Sequence, residues 1–214
     1  MRAPPDQRNA SRFALRRWQE YEGERRANLL RLLGIGAFYT VELINRRGLR
    51  LGVLEFPPVA GADDRFHYSI TALAVAWTML GLGVMLALRR PTYPGWLKYV
   101  ATLGDLALLT ALLVVADGPR SPLVVVFFLL IALAGLRLDL LLVRLATIGA
   151  VAAYLYLNGF ARWFTEREIG VPRYHQLVVL IALALTGVVL GQIIRTVDTA
   201  MFRRERRGPG EETR

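Results

Sequence analysis

The chain has no cysteine and only two histidines in 214 residues. A disulfide framework and thiolate chemistry are therefore excluded, and so is a His-rich metal cage. Long polar, low-complexity tracts are also missing. So are the phosphate loop, the G-x-G-x-x-G turn, the H-E-x-x-H helix and the nucleophile elbow that announce common soluble enzymes. These absences predict a non-enzymatic protein that uses no cofactor and no metal.

What is present is hydrocarbon and arginine. Apolar residues make up 54% of the chain and the mean hydropathy is +0.37, too oily for an ordinary soluble domain. The net charge is +10, almost all of it from arginine. Because the arginines flank apolar runs, anionic lipid headgroups explain them better than nucleic acid does. The first apolar run begins only near Leu29, after a mixed-charge segment, unlike a cleaved signal peptide.

The stretch from Gly104 to Leu136 sets the architecture. Two apolar runs flank the polar knot Ala116-Asp117-Gly118-Pro119-Arg120-Ser121-Pro122, and each run approaches the ~20 residues that cross ~30 Å of hydrocarbon. Gly118, Pro119 and Pro122 punctuate helices, so the knot is a tight turn between antiparallel helices. The same reading along the chain gives an all-α, polytopic bundle of six transmembrane helices. Their cores are 27–45, 68–88, 96–116, 122–137, 139–158 and 177–197. The fourth and fifth are separated only by Arg137-Leu138-Asp139 and must turn sharply. Residues 1–26 form a cytoplasmic, arginine-rich segment, disordered over 1–10. Over 11–28 it is helical, with Phe13, Trp18 and Tyr21 suited either to an interfacial helix or to a solvated one. Residues 27–197 are the membrane domain. Residues 198–214 are a cytoplasmic helical extension and basic tail, too short for a catalytic domain. The connection 46–67, with Pro57, Pro58, Gly61, Asp63 and Asp64, has the composition of a small cap.

Of the 27 Lys and Arg residues, nineteen fall on the side of the two termini, including all eight before Leu32, and eight on the other. The asymmetry puts both termini in the cytoplasm of a bacterial inner membrane.

Ionisable groups within apolar runs are costly, about 2.5–3.5 kcal/mol each at a helix centre on insertion scales, so they face the bundle interior and carry partners. Glu42, Asp105, Arg144 and Gln192 form the candidate intramembrane polar set. It serves either as a ligand or proton site involving Glu42 and Asp105, or as interhelical hydrogen bonding that fixes helix rotation. Asp105 is expected to face other helices, with polar groups of the first or sixth helix as partners. A second set, Arg65, His67, Arg120, Arg173 and His175, belongs to the outer face. The histidines there are a pH-responsive pair, a partial metal site completed by Asp63, Asp64 or Glu168, or part of an interfacial belt. The arginines are a ring for an anionic ligand or snorkelling anchors. Arg65-Phe66-His67 and Arg173-Tyr174-His175 open two helices 108 residues apart, and seven identities in 22 residues hint at a parallel duplication. Gly187 and Gly191 form a G-x-x-x-G that permits close helix packing, homodimerisation included.

Asp105, followed by Asp117-Gly118-Pro119-Arg120-Ser121-Pro122 and an apolar helix, resembles the membrane input domains of bacterial sensor histidine kinases of the pilus-regulator type and of related cyclases. The resemblance covers about 35 residues and lacks the catalytic domain those helices feed. It implies a sensory or regulatory module acting on a separate partner at the cytoplasmic end of the last helix. Two other classes stay open. One is a structural or assembly subunit of a membrane complex. The other is a small transporter or channel subunit coupled through Glu42 and Asp105. Anionic membrane lipids are the expected contact in each case.

Overall fold

The structure, a computed structural model, describes residues 5–51, 54–56, 64–89, 95–164 and 170–206. It is built from helices: α1 (Pro5–Arg47), α2 (Asp64–Leu88), α3 (Leu97–Val115), α4 (Val126–Gly135), α5 (Leu140–Trp163) and α6 (Arg173–Arg206). Five of them contain segments long and apolar enough to cross a membrane: Glu22–Ile44, Phe66–Leu88, Leu97–Val115, Leu140–Trp163 and Arg173–Val197. The fourth apolar helix, Pro122–Gly135, is shorter.

Several expectations change here. No break separates an N-terminal helix from the first apolar one: α1 runs without interruption for 43 residues, and its helix already includes residues 5–10. The segment holds no glycine before Gly23 and no proline after Pro5, so nothing in its backbone chemistry stops the helix. Gly48 ends it, in the left-handed region at φ 72°, with its N–H donating to the Ile44 carbonyl at 2.8 Å, the position where a glycine cap has no Cβ penalty. The connection expected to cap the bundle carries a short hairpin, β1 (Leu49–Leu51) against β2 (Leu54–Phe56), antiparallel with Leu49 opposite Phe56. Asp63 and Glu168 lie outside the described residues, as do the tail from 207 onward and the side chains of Asp64 and Arg65.

The knot is a turn, as its composition requires. Two short 3₁₀ segments, Gly118–Arg120 and Pro122–Val125, carry the chain from α3 into α4. Gly118 adopts φ 56°, and the Ser121 hydroxyl accepts from the Leu123 N–H at 3.3 Å. The sharp corner between α4 and α5 is present too. Leu138 sits at φ 52°, a conformation uncommon for a side chain branched beyond glycine. Asp139 then caps α5 by accepting from the N–H groups of Leu141 and Leu142 at 2.9 and 3.3 Å.

The centre of the bundle is α3, α4 and α5, where Leu109, Leu113, Phe127, Ile131, Leu142, Leu157 and Tyr154 are fully buried. α6 packs on α4 and α5. α1 and α2 pair with each other and join the rest mainly through α3. Outward faces are apolar as well: Leu33, Val41, Met79, Ile148 and Ile181 are each more than half exposed, as suits helices solvated by hydrocarbon.

Small residues set the close approaches. A Cβ on Gly187 would overlap the Thr147 side chain, and one on Gly191 would sit 3.3 Å from Leu140. The G-x-x-x-G face of α6 is therefore turned onto α5 of the same chain. Its echo in α2 is not equivalent, since a Cβ on Gly83 would meet nothing within 4 Å.

Candidate functional site: a buried charge network at one end of the bundle

Three residues of α1, Glu24, Asn28 and Arg31, are spaced i, i+4, i+7 and so share one face. Lys98, Thr102 and Asp105 of α3 have the same spacing. Facing one another, the two stripes build two connected layers.

In the deeper layer, Arg31 donates to Asp105 Oδ2 from Nε at 3.1 Å and from Nη2 at 2.7 Å. The Trp77 indole N–H of α2 donates to the other oxygen, Oδ1, at 2.7 Å. The third arm of the guanidinium, Nη1, reaches Asn28 Oδ1 at 2.7 Å. The Asn28 amide then donates to the Gly81 carbonyl of α2 at 3.0 Å. That last bond needs close helix contact, and Gly81 supplies it: a Cβ there would stand 2.9 Å from Leu32. The ion pair is almost wholly buried, with side-chain exposures of 2% for Arg31 and 5% for Asp105.

The second layer lies towards the α4–α5 corner. Arg137 Nη2 pairs with Glu24 at 2.7 Å, again nearly buried. Its Nη1 donates to Thr102 Oγ1 at 2.8 Å and to the Lys98 carbonyl at 3.3 Å. Lys98 pairs with Asp139 at 2.6 Å, and the Tyr99 hydroxyl donates to the same carboxylate at 3.1 Å. Burial works against the Asp139 charge, but the Lys98 hydrogen bond, the Leu142 N–H and the charge and hydroxyl beside it outweigh burial. The carboxyl is held below its ordinary value. A carboxylate depressed in the folded state contributes stability above its unfolded pKa, and that stability is lost as the pH falls through the folded one. Acid titration of detergent-solubilised protein should therefore lower thermal stability below about pH 4, and Asp139→Asn should flatten that limb. An unchanged limb would mean the Lys98–Asp139 contact does not hold the corner.

The network is electrically closed: each buried cation, Arg31 and Arg137, meets one buried carboxylate. Two charges taken from water cost several kcal/mol per ion, offset here by pairing and, at Asp105, by the Trp77 hydrogen bond to its second oxygen. The arrangement is suited to fixing the rotation and depth of α1, α2 and α3 about the α4–α5 corner. It offers no bare charge to a solute.

The predicted candidates distribute unevenly. Asp105 is buried and faces helices as expected, and one of its partners is on the first helix. The other, Trp77, is on the second. Neither Glu42, Arg144 nor Gln192 joins it. Arg144 and Gln192 are exposed. Glu42 instead stands near the far end of α1, where its Oε1 is 4.0 Å from His67 Nδ1 of α2. One turn deeper on each helix, Tyr39 and Thr71 share a hydroxyl hydrogen bond at 3.3 Å. The structure thus joins one member of the intramembrane set to one of the outer-face set. Arg120, Arg173 and His175 are exposed, and Arg65 is placed only as backbone in the first turn of α2. Among the described residues no group of three or more His, Cys, Asp or Glu side chains is placed to hold a metal.

Beside the Arg31–Asp105 pair an apolar cleft opens between α1, α2, α3 and α4, with an empty volume of about 640 Å³ that includes its open mouth. Gly34, Phe38, Ile70, Ala74, Val126 and Leu130 are among its walls, and Arg31 and Trp77 reach its edge. Such a lining accommodates hydrocarbon.

Glu24, Arg31, Trp77 and Arg137 were not singled out by the sequence reading, which counted Arg31 and Arg137 only as flanking charges. The signal available was the repeated i, i+4, i+7 polar stripe on α1 and α3. Against known proteins, the chain matches no family model, no curated protein and no solved structure.

Proposed function

We propose that this chain is a non-enzymatic regulatory module of the bacterial cytoplasmic membrane, which passes a helix displacement to a partner at the cytoplasmic end of α6. The observation that carries the reading is a contrast between two ways of holding helices. α1, α2, α3 and the α4–α5 corner are tied by charged and polar bonds. Among the described side chains of α6, the hydrogen bonds of Gln176, Thr186, Thr196 and Thr199 stay within α6 or go to Val171 just before it. Its seam against α5 is made by shape, with Gly187 on Thr147 and Gly191 on Leu140. A helix held by shape moves against a polar-locked frame at lower cost than a member of the lock. α6 is 34 residues long, about 51 Å at 1.5 Å per residue, and so outreaches ~30 Å of hydrocarbon. The likeness of the Asp105-to-Pro122 stretch to sensor-kinase input helices agrees with this reading. The neutralised network is a poor coupling site for a transporter.

The same reading includes six crossings with both termini inside. The Lys98–Asp139 and Arg137–Thr102 contacts bring the start of α5 beside the start of α3, so the segment 116–138 returns the chain to the level from which α3 departed. The 3₁₀ turn of Pro122–Val125 lengthens the short α4, at about 2 Å per residue. Under this topology α1 begins as an interfacial or cytoplasmic helix and enters the bilayer near Glu22. Reporter fusions at Pro94 and Gly208 should then be cytoplasmic, and those at Pro57 and Gly170 external. An external Gly208 fusion would remove the six-crossing arrangement.

A photo-crosslinker at Thr199, an exposed position of α6, tests the function. In native membranes it should capture one protein partner, with a yield that changes when Asp105 is replaced by asparagine. Capture at an unchanged yield would favour a structural or assembly subunit instead. Capture of lipid alone would overturn the regulatory reading.

A further inference from the structure

From the far end of the α1–α2 pair we infer that Glu42 and His67 form an acid-operated clamp, open when the imidazole is neutral and closed when it is protonated. Nδ1 of His67 and Oε1 of Glu42 face each other at 4.0 Å across the two helices, with side-chain exposures of 18% and 16%. That distance is too long for a hydrogen bond, and His67 Nδ1 is a buried atom without a hydrogen-bond partner. The carboxylate can accept only, and a doubly protonated imidazole always carries a proton on Nδ1 and adds a charge, so the contact then becomes a charge-assisted hydrogen bond, stronger than the one the neutral Nδ1–H tautomer makes. Imidazole is the side chain whose charge changes between pH 5 and 8. Drawing donor and acceptor to ordinary hydrogen-bond length, about 2.8 Å, closes the gap between them by about an ångström and tightens the α1–α2 contact at this end.

The surrounding groups are compatible with such a step. Arg46, one turn beyond Glu42 on α1, is a cation with an interaction partner. On α2 the neighbouring Tyr68 ring lies tilted, 6.3 Å from the imidazole. Tyr39 and Thr71, one turn deeper, hold the helices together with neutral groups and act as the fulcrum. Both clamped helices also enter the charge network at their other ends, α1 through Asn28 and Arg31, α2 through Trp77 and the Gly81 carbonyl. Closing the clamp therefore bears on the frame against which α6 is packed. The clamp stands on its own geometry. Its use as a stimulus, with protons on the outer face as the effector, rests on the regulatory reading above.

The sign is fixed by linkage. The closed contact is made by the protonated imidazole, so acid favours it. The test uses the full chain in nanodiscs of zwitterionic lipid, comparing pH 8.0 with pH 5.5, which lies above the ordinary carboxylate range. Wild type should gain about 2–4 °C in Tm on acidification. His67→Gln and Glu42→Gln should each abolish the gain, and the pair of substitutions should do no more than either alone. His175→Gln, at an exposed position of α6, should leave it intact. No gain in wild type, or a gain kept in Glu42→Gln, overturns the clamp. The Thr199 crosslink, run at both pH values, separates the two claims. A clamp that closes without changing the crosslink leaves the contact standing and removes its role as the stimulus.

Discussion

Asp105→Leu should destabilise the protein by about 3–5 kcal/mol, the cost of leaving one member of a buried ion pair without the other. The guanidinium of Arg31 is 2% exposed and directs two of its nitrogens at the lost carboxylate. Leucine also strands the Trp77 indole N–H, whose acceptor is the other Asp105 oxygen. Asparagine keeps an acceptor for one of these donors, so Asp105→Asn should fall between wild type and leucine. The decisive variant is the double replacement Arg31→Leu with Asp105→Leu. Removing both charges removes the desolvation cost with the attraction, so the double variant should recover most of the single variant's loss. Thermal unfolding in one detergent of wild type, Arg31→Leu, Asp105→Leu and the double variant gives the coupling directly. Additive losses would mean that the two side chains do not act as a pair, and a fully stable Asp105→Leu would mean that the acid contributes nothing to the fold.

A membrane protein needs such a device more than a soluble one does. Between apolar helices in hydrocarbon there is no hydrophobic drive to associate, and packing and interhelical polar bonds decide which faces meet. The outward-facing Leu29, Leu30, Leu33 and Val41 of α1 would be as well solvated by lipid as by neighbouring helices. Glu24, Asn28 and Arg31 make one rotation of α1 different from the rest. Within α3 the same is done by Lys98, Thr102 and Asp105.

This also explains what was legible in the chain. Apolar runs and their punctuation are local properties, so the helical segments, the knot at 116–122, the corner at 137–139 and the burial of Asp105 follow from the residues themselves. Partnerships are not local. Arg31 and Arg137 look like the flanking charges that set orientation, and only the facing of α1 against α3 and against the α4–α5 corner reveals them as counter-ions. Glu42 and Asp105 look alike as acids in apolar runs, yet Glu42 lies near the end of α1 and Asp105 midway along α3, and they meet different neighbours. The length of α1 was misjudged for a related reason. A change from charged to apolar composition marks a change of solvent, and a helix crosses such a boundary without interruption when no proline breaks it and its glycines stand singly, as Gly23 does.

The seam between α5 and α6 yields the other large effect. Gly187→Leu should cost about 1–3 kcal/mol, the range for forcing extra volume into a packed interface, and here there is little room to relax. A Cβ alone would overlap the Thr147 hydroxyl, and the Thr147 Cβ itself would stand only 2.8 Å away. The Thr147 hydroxyl is not free to swing aside at no cost, because it donates to the Val143 carbonyl at 2.8 Å. The overlap predicts a graded rescue. Thr147→Ala removes the hydroxyl and the methyl but leaves its Cβ, so it should restore only part of the stability lost in Gly187→Ala. Thr147→Gly removes the obstacle and should restore more of it, less the cost of about 1 kcal/mol of a glycine within α5. Under the regulatory reading, Gly187→Leu should also change the Thr199 crosslink, since α6 is displaced from α5 while the charge network keeps its geometry. If Gly187→Leu leaves stability at the wild-type level, the G-x-x-x-G face is not packed on α5. Should it instead abolish self-association without loss of monomer stability, that face serves a second copy of the chain and the intramolecular seam is wrong.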